Sequence, residues 1–360
     1  MELTQDQQAL RDAVRGLLAR HQGDDDDDSG PWPRLCREIG VAGLAIPERY
    51  GGAGAGPVEI HIVMEELGRH LTPAPMLGSA VLATRALLTA GDDAACRRLL
   101  PGLAAGTTTA ALAWTGPAGH WNPADVACRA SAEAAVTGEA HYVLDGTDAD
   151  VLFVAADGPD GLGLYEVDLA QPGVRRAAVT TIDETRPMAT VRLGHASGRR
   201  LGHRLDLAPV RDLACIALSA EQVGAARQAL DLTVAYTKVR EQFGRVIGSF
   251  QGLQHRLADL HVLVESARSL SYAAAEAAAD EAPDLGLHAA AARACCSEAL
   301  TRAAAEMIQM HGAIGITWEH DAHRYFKRAH GGAQLLGPPS EHLARIAASL
   351  LDPDPARRTP

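Results

Sequence analysis

Apolar positions recur at helical spacing close to the N-terminus. In residues 4–21, Leu10, Val14, Leu17 and Leu18 share one face behind Thr4, a residue suited to capping a helix start. The Asp24–Asp28 run then breaks the pattern. It reads as a solvated acidic loop, because it lacks the alternation, the glycine and the distal glutamate of a calcium-binding loop. From Trp32 to Gly106 the helical stretches PRLCREIG, EIHIVMEELGRHL, GSAVLATRALLTAG and AACRRLLPGLAAG are separated by glycine and proline. The glycines at Gly51, Gly52, Gly54 and Gly56 are not preceded by a strand, and Pro57 stands where a dinucleotide loop would place its last glycine. A turn is predicted there.

Between Thr107 and about Leu205 the texture changes to short runs such as TTTAALAW, HYVLDG, DVLFVAA and ATVRLG, bounded by glycine, proline and aspartate. These predict a β-sandwich or barrel. From Val210 onward, Ala/Leu-rich amphipathic segments at roughly 213–241, 250–279, 285–310 and 340–351 predict a four-helix bundle. The pattern argues for a mainly α chain with a central β-domain. Its parts are an N-terminal helical domain (1–106), a β-domain (107–208), a C-terminal four-helix bundle (209–352) and a tail (353–360).

Composition narrows the partners. The 360 residues are 47% hydrophobic and 22% charged, enough to bury a large core, and only 4% aromatic, which favours helices packed through small side chains. A formal charge of -12 offers no positive field to a nucleic acid or an anionic membrane. No apolar run reaches the roughly 18 to 20 residues of a membrane span, and MELTQDQQAL has no signal-peptide pattern, so a cytoplasmic location is expected. The cysteines Cys36, Cys96, Cys128, Cys215, Cys295 and Cys296 have no metal or redox spacing and read as small buried hydrophobes.

The most informative stretch is Tyr236–Asp259, YTKVREQFGRVIGSFQGLQHRLAD. It predicts a helix ending near Phe243, a turn over Gly244–Gly248 and a new helix capped by Ser249. An αα-hairpin explains the glycines and the serine, but it does not require Arg240, Gln242, Phe243, Gln251 and Gln254 together. A guanidinium, amides and an aromatic at a helix junction could hold a phosphate and line an adenine.

This segment resembles the Y-x-x-x-R-x-Q-F-G-x-x-I-x-x-F-Q-x-x-x-H-x-L-A-D signature of the acyl-CoA dehydrogenase family, matching at Tyr236, Arg240, Gln242, Phe243, Gly244, Ile247, Phe250, Gln251, His255, Leu257, Ala258 and Asp259. A second block, Gln309 to Glu319, is similar to the family's Q-x-x-G-G-x-G-x-T-x-E. It is followed by Arg324 and by Lys327-Arg328-Ala329 where Arg-Asp-Ala is usual. LAIPERYGGAG, MEELGRHLTPAP and TIDETRPMATVRL are further echoes, so the resemblance spans nearly the whole chain. It implies FAD shared at a subunit interface, an acyl-CoA thioester oxidised at Cα and Cβ, and reoxidation by an electron-transfer flavoprotein. Arg240, Phe243 and Gln251 match residues that reach across to the FAD of a neighbouring subunit. Gln309, Gly312 and Ala313 match the segment lying along the same cofactor, with Ala313 replacing the usual second glycine.

The catalytic half departs from the family. The two positions that supply the glutamate base correspond to Leu336 and Ala214, and a nearby arginine to Cys215. The flavin-covering segment survives only as AWTGPAGHWNPAD (Ala113–Asp125), with no glutamate and no Ser-Asp pair. Asp212, Glu221, Asp183 and Glu184 are candidate substitutes. Asp212 projects about 200° from the Ala214 direction on an ideal helix, and Glu221 fits a polar position near the helix surface. Glu319, His320 and His323 read as polar groups at the bundle's end rather than metal ligands. The resemblance therefore implies a catalytically degenerate subunit, like those of actinobacterial heteromeric, steroid-type enzymes. Such a chain would lend FAD-binding residues to a homologous catalytic partner that acts on a bulky or steroid side-chain CoA thioester. Alternatives are a self-sufficient homotetramer with a non-standard base, or a FAD-free scaffold.

Overall fold

The computed structural model describes residues 3–21 and 30–351. The acidic Asp24–Asp28 loop and the 353–360 tail lie outside the described residues. The chain divides into two compact units: Leu3–Val63 with Pro73–Ala214, and Met64–Thr72 with the chain from Cys215 onward.

In the first unit, α1 (Gln5–His21) starts as its sequence requires. Thr4 Oγ1 accepts the Gln7 amide at 3.2 Å and Gln7 Oε1 accepts the Thr4 amide at 3.1 Å, a reciprocal capping box. The short α2 (Trp32–Arg34) runs into a π-helical turn, Leu35–Ile39, closed by the left-handed Gly40. Further along, α3 (Pro57–Arg69) crosses from one unit's segment into the other's. A buried π-helical run, Met76–Ala83, leads into α4 (Thr84–Ala90), and α5 (Asp93–Ala105) is capped by Asp92.

The β-region is β1 (Ala110–Ala113), β2 (Cys128–Ala130), β3 (Ala135–Leu144), β4 (Val151–Gly158), β5 (Gly161–Val167), β6 (Val174–Ala178) and β7 (Met188–Leu201). It closes on itself in the order β4-β2-β3-β7-β5 and back to β4. Strand β1 lies parallel on β4, and β6 pairs with β7. Of the two expected forms, sandwich or barrel, closure makes it a barrel, which leaves few free edges. Val136, Ala140, Val154, Tyr165 and Val191 alternate inward to fill it.

The helices of the second part are α6 (Leu207–Val239), then a hairpin of β8 (Glu241–Gln242) and β9 (Arg245–Val246). After it come α7 (Gln251–Ala279), α8 (Leu285–His311), α9 (Ala322–Gln334) and α10 (Pro339–Leu351). Two expectations change here. The core is drawn from α6, α7, α8 and α9, with Ala226, Leu260, Leu300, Met307, Tyr325 and Ala329 packed together. Helix α10 instead lies against α8 with His342 its buried residue, so α9 takes the place expected of 340–351. Its buried stripe of Ala322, Tyr325, Ala329 and Gly332 has helical spacing but little hydrophobic mass, and for that reason it escapes a reading based on Leu-rich faces.

The second change is at the α6–α7 junction. Helix α6 stops at Val239, and Phe243 (φ 56) with Gly244 (φ 76) forms the two-residue turn of a hairpin. Ser249 is not the cap of α7. Its hydroxyl donates to the Val246 carbonyl at 2.7 Å, and Phe250 occupies the N-cap position.

Close packing within this unit is set by glycine. A Cβ on Gly224 would stand 1.8 Å from the Glu65 carbonyl oxygen, and one on Gly68 would stand 2.0 Å from that of Glu221. The backbones of α3 and α6 therefore touch. Beside the crossing, buried Glu65 accepts from Arg268 Nε at 2.7 Å and from the Tyr272 hydroxyl at 2.6 Å.

Candidate functional site

The hairpin after α6 is held by its own backbone. The Arg240 amide donates to the Tyr236 carbonyl at 2.9 Å, and the Arg240 carbonyl accepts from Ile247 at 2.8 Å. These bonds send the Arg240 side chain outward, where no described residue pairs with its guanidinium. Phe243 is 90% exposed, its ring edge-on to Phe250 at 6.2 Å. Arg245 lies over the Phe250 ring at 4.0 Å. Gln251 opens α7 on the exposed side, and Gln254 Nε2 ties back to the Gly248 carbonyl at 2.9 Å.

The second motif closes α8. Gln309 is exposed, as are Gly312 and Ala313 in the tight turn Gly312–Ile316. Gly312 adopts φ 65, ψ -140, a region open to glycine, and no atom lies within 4 Å of where its Cβ would be. The two motifs meet at Tyr236 and His311. His311, 4% exposed, stacks on Tyr236 with ring centroids 4.2 Å apart and 24° between planes, and the Tyr236 hydroxyl donates to the His311 carbonyl at 3.4 Å. His320 lies against the same imidazole at 4.3 Å. Burial, with a smaller contribution from His320, holds the His311 pKa below the usual range against the opposing Met307 carbonyl. Ile316 and Trp318 are exposed beside this turn. His311 was not singled out from sequence. Its signal was its place between Gln309 and Gly312.

The base positions look different. Leu336 is 1% exposed, in a left-handed conformation (φ 61). Its carbonyl accepts from His342 Nε2 at 3.1 Å and from the Cys215 thiol at 4.0 Å. Buried Arg293 clamps the preceding turn, donating from Nη2 to the Leu335 carbonyl at 2.6 Å and to that of Gly332, and from Nη1 to Gln222 Oε1 at 3.0 Å and to Ser297 Oγ. Ala214, on α6, is fully buried, as is Cys215. Two aliphatic side chains thus fill the places where the resemblance puts a carboxylate.

The substitute acids are engaged elsewhere. Glu221 is buried rather than near the surface and pairs with Arg328 at 2.8 Å, the arginine that stands where the family often has aspartate. Asp212 pairs with Arg211 at 3.0 Å. Asp183 accepts the Thr185 amide at 3.0 Å within its own turn. In Ala113–Asp125, Trp114 and Trp121 are both buried and pack edge to face at 5.5 Å.

These observations bear on whether FAD fits. The hairpin with Arg240 and Phe243, Gln251 at the start of α7 and the Gln309–Ala313 turn expose a cation that no described residue pairs, amides, an aromatic face and an open glycine, the donor set suited to a diphosphate and adenosine. That half fits. Nothing in the described residues offers a carboxylate at either base position.

Comparison with known proteins identifies the family. Residues 4–107 match the family described as Acyl-CoA dehydrogenase, N-terminal domain, and residues 212–351 match Acyl-CoA dehydrogenase, C-terminal domain. The chain is 39% identical over 358 residues to Acyl-CoA dehydrogenase IpdE2 of Mycolicibacterium smegmatis, covering 97% of this chain and 100% of the relative. It is 40% identical over 359 residues to IpdE2 of Mycobacterium tuberculosis, covering 96% and 98%. Among solved structures, a variant of the Tcur3481-Tcur3483 steroid ACAD superposes with a TM-score of 0.85 at 31% identity, covering 96% of this chain and 97% of that one. The ChsE4-ChsE5 complex from Mycobacterium tuberculosis does so with 0.87 at 27%, covering 98% and 99%. This chain belongs to the acyl-CoA dehydrogenase family, FAD-binding oxidoreductases that act on a CH–CH bond.

Proposed function

We propose that this chain is a subunit of a FAD-dependent acyl-CoA dehydrogenase that lends Arg240, Phe243, Gln251, Gln309, Gly312 and Ala313 to a cofactor seated on a homologous partner chain. One asymmetry carries the reading. The residues suited to the adenosine half are exposed and open, whereas both base positions hold buried aliphatic side chains. Arg240 would fork onto the diphosphate, Phe243 would cover an apolar face of the cofactor, and the two glutamines would pair with its polar edges. Val239, Ile316 and Trp318, each more than 60% exposed, surround that edge with apolar surface suited to a protein neighbour.

Bound FAD would supply the hydride acceptor for Cα–Cβ oxidation, and an electron-transfer flavoprotein would take the electrons onward. The carboxylate that receives the α-proton would come from the partner chain, since Leu336 and Ala214 cannot act as bases. A bulky, steroid-derived CoA thioester is the substrate class, supported by the likeness to the Tcur3481-Tcur3483 steroid ACAD. The paired names of that protein and of the ChsE4-ChsE5 complex support a two-chain assembly.

The test is visible absorption and the FAD-to-chain ratio. The chain purified alone should be colourless. Co-expressed with a homologous dehydrogenase of the same genome, it should form a yellow complex with one FAD per two chains. A full flavin on the lone chain, with turnover, would overturn the lending role.

A further inference from the structure

We infer that His311 is a positioning residue for this edge: a buried aromatic staple that holds the Arg240 hairpin in register with the Gln309–Ala313 turn. The inference rests on the lending role proposed above, and its observations are independent of it. The His311 imidazole is the last side chain of α8, and Gly312 follows it directly. Its ring stacks on Tyr236 at 4.2 Å, and the Tyr236 carbonyl in turn accepts the Arg240 amide at 2.9 Å. One ring therefore touches the last turn before Arg240 and the first residue of the glycine turn.

The ring is also fixed in rotation and protonation. The Met307 carbonyl, 2.8 Å from Nδ1, can only accept, so Nδ1 carries the proton. Nε2 is then a lone pair, buried and without a hydrogen-bond partner among the described residues. Tyr236 from α6 and His320 from the segment before α9 are the titratable groups facing the imidazole. Burial, with a smaller contribution from His320, disfavours the charged imidazole and so favours the neutral ring in this stack. Displacing such a support by about 1 Å is enough to weaken a ligand contact made by the residues it holds.

The experiment is FAD titration of the mixed complex by flavin fluorescence. His311→Ala should weaken FAD about tenfold, Tyr236→Leu should repeat that loss from the α6 side, and His311→Phe, which restores the stack, should recover most of it. Arg240→Ala should weaken FAD by itself, and adding His311→Ala to it should cost less than a further twofold, because the staple acts through the hairpin. A tenfold loss that persists in the Arg240→Ala background would show a general structural role and overturn the inference, as would unchanged affinity in His311→Ala. If Arg240→Ala binds FAD as the wild type does, the lending role falls and leaves the staple nothing to position. An effect of Arg240→Ala without one of His311→Ala removes the staple alone.

Discussion

At the scale of single residues, the informative groups are acids whose surroundings the sequence does not reveal. Asp145, at the end of β3, has its carboxyl pushed up to about 7 by burial, with Arg186 opposing and Asp148 reinforcing the shift. The unfolded carboxyl titrates near about 4, so between these values the folded state holds a proton that the unfolded state releases. Its stabilising contribution is complete below about pH 4 and is lost as pH rises through about 7. Asp145→Asn should therefore be more stable than wild type at pH 8, by about 2 kcal/mol, and its stability should vary less with pH over that window. Asparagine also tolerates the residue's left-handed backbone (φ 54). Parallel pH–stability curves in urea titration would refute the assignment. Glu221 and Arg328 form the comparable pair in the bundle. Glu221→Gln should cost about 3 kcal/mol by leaving a buried guanidinium without its carboxylate, and Glu221→Leu with Arg328→Met should recover most of that. The sequence placed Glu221 near the helix surface because a lone glutamate on a long helix usually faces water; only the packing of α9 shows otherwise.

At the scale of elements, the long apolar helices and the short strands were legible because their periods were. The capping box at Thr4 needs only three residues in order. What escaped was local geometry that departs from period. Helix α9 buries alanine, tyrosine and glycine, and the β8–β9 hairpin sits inside a stretch whose composition reads as helix. The hairpin also breaks a rule. Its first turn position requires φ > 0, which asparagine suits and phenylalanine resists, yet Phe243 is there, at φ 56 and 90% exposed. A strained, solvent-facing aromatic is what a ligand contact would leave behind. Phe243→Asn should thus keep or slightly raise thermal stability while weakening FAD in the mixed complex. If stability falls and FAD affinity holds, the ring serves the hairpin instead. The α3–α6 crossing makes the opposite kind of test. Gly224→Ala puts a methyl into the Glu65 carbonyl and should destabilise the chain by about 3 kcal/mol, read from chemical denaturation.

At the scale of the whole molecule, the residues proposed to meet FAD are exposed, whereas both positions counted as base sites hold buried aliphatic side chains. The sequence showed this asymmetry directly, because both motifs are contiguous and the base positions can be counted from them. It could not show that Arg293 holds the Leu335 carbonyl and Cys215 the Leu336 carbonyl, nor that Tyr236 and His311 join the two motifs, because each of these contacts links residues far apart in the chain. The proposed division of labour has a kinetic consequence. A chain that contributes cofactor contacts but no titrating base governs how tightly FAD is held, not the proton transfer. In the mixed complex, Arg240→Ala should raise the Kd for FAD by about tenfold to a hundredfold. With FAD saturating, kcat should return to within about twofold of wild type, and the pH dependence of kcat should be unshifted, since it reports the partner's carboxylate. A self-sufficient enzyme behaves differently: its pH profile belongs to a group of this chain, and no homologous partner is needed to observe it. Measuring the profile of the mixed complex with wild-type and Arg240→Ala chains separates the two, because a shifted pKa in the variant would place the titrating group on this chain and end the lending role.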